Sequence, residues 1–205
     1  MAWYDLFYNF QDAELDRAQS FDKDWNQIRK GKKPENEFGR WLVVFINAFI
    51  LINQVRADPF ENIYKQATCW CLWATFFTAL MGAILSGNPI LTIRQAPHMH
   101  AFHHLCYTLM IFMTPAVIIL YWTVIHDNHV KYIQQLYKDD PVQYGRAYFH
   151  TTYLVHSIPG LCAVYLMFIT DAVLIKKHAI GLMVFELAYV IQNFISTHSR
   201  GKAVF

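Results

Sequence analysis

From about residue 41 onward, apolar residues come in long continuous blocks rather than in alternating or single-faced patterns. Five blocks stand out: Leu42–Val55, Ala67–Gly87, Ala101–His126, Thr151–Thr170 and Ala179–Ile195. A membrane-crossing helix needs roughly 20 predominantly apolar residues, which four of the blocks reach or nearly reach. The first block is shorter and carries Asn47, Asn53 and Gln54 ahead of Arg56. It fits either a tilted span or a re-entrant segment covered by its neighbours. Breakers fall between the blocks at Asp58-Pro59, Gly87-Asn88-Pro89 and Asp139-Asp140-Pro141. The pattern predicts an all-α fold, a polytopic membrane helix bundle of about five transmembrane helices over residues 41–205.

The first 40 residues differ from the rest. Phe21, Trp25 and Ile28 recur at spacings of four and three, as do Leu6, Phe10 and Ala13. These repeats predict amphipathic helices lying on a membrane or a partner, an N-terminal arm over residues 1–40. The arm lacks the apolar core of a signal peptide and holds eight acidic residues, which also argues against a transit peptide.

Composition agrees with the membrane assignment: 55% of the 205 residues are hydrophobic, 17% aromatic and only 16% charged. A net charge of +2 carries no nucleic-acid signal. If all five blocks span, the side holding the N-terminus has ten Lys and Arg residues against seven on the other. That favours a cytoplasmic or matrix-like N-terminus.

The metal-binding candidates are weak. Cys69, Cys71, Cys106 and Cys162 lie in or beside apolar blocks, where a thiol behaves as a small hydrophobe. On a helix Cys69 and Cys71 project about 200° apart. The cluster His98-Met99-His100-Ala101-Phe102-His103-His104 contains an HxxHH box like one of those in di-iron membrane oxygenases. The next histidines, His126 and His129, begin 22 residues later, about 33 Å away along a helix. The cluster is read as a polar rim, and with His156 as the one mid-span histidine a bis-histidine haem is not expected. Neither a metal nor a cofactor is expected.

Two ionisable residues, His156 and Glu186, lie inside lipid-compatible runs. Such residues are costly in hydrocarbon and usually face a bundle interior or a wet cavity. Counted from one face at about 1.5 Å per residue, Asn47 and Thr75 lie about 12 Å deep, His156 about 8 Å and Glu186 about 14 Å. Four helices thus place polar groups in one layer, Asn47, Thr75, His156 and Glu186. One reading is interhelical hydrogen bonding without chemistry. The other is a hydrolytic site with Thr75 as nucleophile, a histidine as general base and Glu186 orienting the imidazole.

Three short motifs extend the second reading: Leu72-Trp73-Ala74-Thr75-Phe76 in one span, Tyr121-Trp122 followed by Asp127, and His150-Thr151-Thr152 opening the next span. Over residues 41–205 this arrangement resembles the androgen-induced family of polytopic membrane threonine hydrolases, which act on fatty-acid esters of hydroxy fatty acids. The resemblance implies Thr75 as nucleophile and His150 as its partner, whereas depth counting pairs Thr75 with His156. It also implies a further span after 198–205, where this chain stops, and has no counterpart for the polar first 40 residues.

Two functions are therefore expected in parallel. The first is a non-catalytic accessory subunit, a scaffold or lipid-binding component of a larger membrane complex. It would contact other membrane-protein subunits and bound phospholipids, and it would suit the mitochondrial inner membrane and its energy-converting machinery. The alternative is an intramembrane lipid-ester hydrolase built on Thr75 with His150 or His156, for which the endoplasmic reticulum is the more natural membrane.

Overall fold

The computed structural model describes residues 36–57, 67–88, 91, 96–170 and, beyond them, 182–184, 187, 188, 191 and 195; these residues form helices and no strand. The elements are α1 (Glu37–Ala57), α2 (Ala67–Gly87), α3 (Pro97–Leu120), α4 (His126–Leu136), α5 (Pro141–Tyr148) and α6 (Ile158–Ile169). π-Helical segments at Tyr121–Ile125 and Phe149–Val155 join α3 to α4 and lead from α5 towards α6. Four stretches are long and apolar enough to cross a membrane: Glu37–Arg56, Ala67–Gly87, His98–Leu136 and Pro141–Ile169. The chain is an all-α membrane helix bundle.

Local chemistry sets the helix ends. Glu37 in the first turn of α1 and Arg56 in the last each oppose the local end of the helix dipole. Pro97 opens α3, where a missing N–H costs nothing. Asp140 caps α5, its carboxylate accepting from the Val142 and Gln143 amides at 3.1 and 3.0 Å. The first block, expected to be short, is a full helix of 21 residues. Its Asn47 and Asn53 side-chain N–H groups donate to the carbonyls of Val43 and Phe49.

The third and fourth blocks also run longer than their apolar stretches. The helical stretch 98–136 holds 39 residues, about 58 Å of helix, and 141–169 holds 29, about 43 Å. Hydrocarbon is about 30 Å thick. The excess forms a projecting hairpin in which α4 packs on α5. Of the fifth block, Leu182, Met183, Val184, Leu187, Ala188, Ile191 and Ile195 are helical. Glu186 and the first 35 residues of the N-terminal arm lie outside the described residues.

Helix α2 is the centre of the bundle. It packs on α1, α3 and α6, and 56% of its span is buried against 28% for the span that contains α3. Val43 and Val44 of α1, Ala79 of α2, Met110 of α3, and Ala163 and Leu166 of α6 belong to the main core. Small residues allow the close approaches. A Cβ at Gly160 of α6 would fall inside the Ile118 side chain of α3, whereas one at Gly145 in α5 would meet nothing.

This contrast generates a paired stability test. Gly160→Val should destabilise the detergent-solubilised protein by about 1–3 kcal/mol through overpacking. Gly145→Ala, in an exposed helix, should stabilise it by about 0.5–1 kcal/mol. Thermal unfolding of both variants beside the parent chain checks the pair, and equal shifts would contradict the packing described.

Candidate functional site

Polar side chains gather at both ends of the bundle. At the first end Arg40 is fully buried, and its guanidinium donates to the Ile169 carbonyl at 3.2 Å and to the Thr170 hydroxyl at 3.5 Å. The cation thereby meets the C-terminal end of α6, where the helix dipole favours positive charge. Gly82 makes the room, since a Cβ there would lie 2.8 Å from Arg40 Nη1 and 3.4 Å from His103 Nε2. His100 bonds the Leu91 carbonyl through Nε2 at 2.8 Å. The HxxHH histidines thus do not form the surface rim expected of them: His100, His103 and His104 are buried inside the end of the bundle. The helix brings their faces onto α1 and α2, which a linear hydropathy profile does not record.

The opposite end carries the more reactive geometry. The fourth span breaks at His156 and Ser157, between the π-helical segment and α6. Pro159, in the first turn of α6, has no N–H to offer a carbonyl one turn back. Two side chains at the break turn back onto carbonyls of the π-helical segment. His156 Nδ1 bonds the Thr151 carbonyl at 2.6 Å, and Ser157 Oγ donates to the Thr152 carbonyl at 2.9 Å.

That anchoring decides the tautomer. A carbonyl can only accept, so Nδ1 carries the proton and a neutral imidazole turns its Nε2 lone pair outward. The group it meets is the hydroxyl of Thr68 on α2, at 3.3 Å. Tyr121 stacks on the imidazole with ring centroids 3.5 Å apart and planes within 7°, and His129 meets it edge-on at 6.4 Å. His126 and His150 also lie within electrostatic range of His156. Among the described residues no three histidine, cysteine or acidic side chains are placed to hold a metal ion.

Most hydroxyls of the bundle are spoken for by their own helices. Thr75, Thr78, Thr108 and Thr151 each donate to the carbonyl four residues back, at 2.7–2.9 Å. Thr68 differs: its hydroxyl meets His156 of the fourth span at 3.3 Å.

The residues singled out in the sequence are therefore divided. Thr75 is fully buried with its hydroxyl turned to Cys71, and His156 meets Thr68 instead, seven residues and about 10 Å nearer the end of α2. Asn47 is fully buried against its own helix, and its side chain also meets the Cys162 thiol. His150 sits half-buried in the π-helical segment, while the hydroxyl contact belongs to His156. Of the proposed polar layer the structure engages His156 but does not join it to Thr75, and Glu186 falls outside the described residues. Thr68 is not among the residues singled out in the sequence.

No known protein family, curated protein or solved structure matches the chain. The site geometry thus carries the functional reading alone.

The anchoring role of His156 is separable from any chemistry. His156→Phe keeps a ring against Tyr121 but removes both hydrogen bonds of the imidazole, and should cost about 1–3 kcal/mol. The melting temperature in detergent should fall accordingly. An unchanged value would mean that the break is closed without the imidazole.

Proposed function

We propose that this chain is a membrane lipid-ester hydrolase in which Thr68 is the nucleophile and His156 the general base. The observation that carries the reading is the Thr68–His156 hydrogen bond together with the anchored Nδ1 of the imidazole. A threonine hydroxyl is a poor nucleophile until a base removes its proton, and a hydrogen-bonded imidazole held by a third group is the usual solution. Here the Thr151 carbonyl takes the place of the orienting carboxylate. The 3.3 Å separation lies within hydrogen-bond reach of the imidazole Nε2. The endoplasmic reticulum is the membrane proposed for this activity.

A fluorophosphonate probe applied to the purified chain should label Thr68, with labelling lost in Thr68→Ala and reduced at least tenfold in His156→Gln. Thr68→Ser should keep the label. Peptide mapping of the adduct reads the site. Label that survives in Thr68→Ala but disappears in Thr75→Ala would reverse the assignment of the nucleophile.

A second reading is favoured by one feature of α1. Phe38, Leu42, Phe45, Phe49 and Ile52 are all exposed, at spacings of four and three that match a helix-pairing seam. They support an accessory subunit bound to other membrane proteins and phospholipids, with the mitochondrial inner membrane as its proposed place. Tagged protein extracted in mild detergent should then recover partners in fixed stoichiometry, and Phe45→Ala with Phe49→Ala should release them. Recovery of the chain alone would remove this reading.

A further inference from the structure

The depth of the Thr68–His156 pair selects among lipid esters. We infer, on the basis of the hydrolase reading above, that the substrate is a glycerol-backbone ester, an acylglycerol or glycerophospholipid, cleaved at the acyl–headgroup boundary.

Packing fixes the heights of the helices against each other. Leu72 of α2 shares a small core with Ile50 and Leu51 of α1 and with Val155, the neighbour of His156. From Leu72, Thr68 lies four residues towards the N-terminus of α2, about 6 Å. From Leu51, Arg56 lies five residues towards the end of α1, about 7.5 Å. Thr68 and the exposed Arg56 therefore stand within about one residue's rise of each other. An exposed arginine keeps its charge in the headgroup layer.

The aromatic and polar neighbours agree. Tyr121, stacked on His156, is followed by the exposed Trp122, and Tyr and Trp concentrate where hydrocarbon meets headgroups. Within two turns of Tyr121 the same helical stretch exposes Asp127 and Asn128, which belong to water. The hydroxyl–imidazole pair thus sits at the boundary and not in the middle of the bilayer. Esters of the glycerol backbone present their carbonyls at that boundary, with the acyl chains below. An ester placed partway along an acyl chain presents its carbonyl several ångströms deeper, nearer the level of Thr75.

The chemistry balances without a cofactor. As Thr68 Oγ bonds to the ester carbonyl carbon, its proton passes to His156 Nε2. The bond from that carbon to the glycerol oxygen then breaks, and the Nε2 proton goes to the departing alkoxide, leaving an acyl group on Thr68. Water attacks the acyl-threonine and gives its proton to Nε2, which returns it to Thr68 Oγ as the fatty acid leaves. The sum is ester plus water to acid plus alcohol.

The test uses the full chain reconstituted in vesicles that contain, in separate preparations, dioleoyl-phosphatidylcholine, dioleoylglycerol, or the oleate ester of 12-hydroxystearate in an ether-lipid bilayer. Released oleate is measured by mass spectrometry, and phosphonate labelling of Thr68 is followed in parallel. Release from either glycerol ester at least tenfold faster than from the mid-chain ester, and lost in Thr68→Ala, is the expected result. Faster release from the mid-chain ester overturns the depth inference and leaves the hydrolase standing. The same holds if Thr68 labels but neither glycerol ester is cleaved. Absence of labelling overturns both. Thr68→Ser, which should retain release, separates a chemical loss in Thr68→Ala from a folding defect.

Discussion

A break in a membrane-spanning helix interrupts its regular backbone hydrogen bonding, and the candidate site depends on how side chains fold back at one such break. The fourth span is interrupted at His156 and Ser157, and these two side chains turn back to the Thr151 and Thr152 carbonyls. The same bonds that make the break tolerable fix the imidazole in one orientation. Tyr121, stacked on its face, holds the ring from the third span. The imidazole is thereby held in one orientation, with its Nε2 edge presented to α2.

The partner of that imidazole stands apart from the other hydroxyls of α2. Thr75 and Thr78 donate to carbonyls of their own helix. The Thr68 hydroxyl instead meets His156 of the interrupted fourth span. Arg40, at the far end, shows the same economy, with a buried cation placed on the carbonyl terminus of α6 beside a glycine that leaves it room.

Much of the architecture was legible in the sequence because hydrophobic length is a direct requirement of the bilayer. The second block matches α2 to the residue, and His156 was marked as significant from the cost of an ionisable group in lipid. The partner was misjudged for a geometric reason. Depth was counted from Thr151 as though a straight helix began there, but the helical stretch begins at Pro141 and carries a π-helical segment before its break. The count placed His156 level with Thr75, whereas the fold sets it level with Thr68. The HxxHH histidines were misplaced for a related reason. A hydropathy profile gives position along the chain, and only packing against Arg40 and Gly82 shows that these rings face inward.

By itself the sequence determined the all-α class, the apolar spans and the presence of a costly histidine among them, because each follows from local composition and the thickness of hydrocarbon. Tertiary structure alone decided which hydroxyl that histidine meets and which carbonyl anchors its Nδ1. Those properties depend on the relative heights of α1, α2 and α6. The heights are set by the interlocking of Leu72 with Ile50, Leu51 and Val155, contacts between residues far apart in the chain.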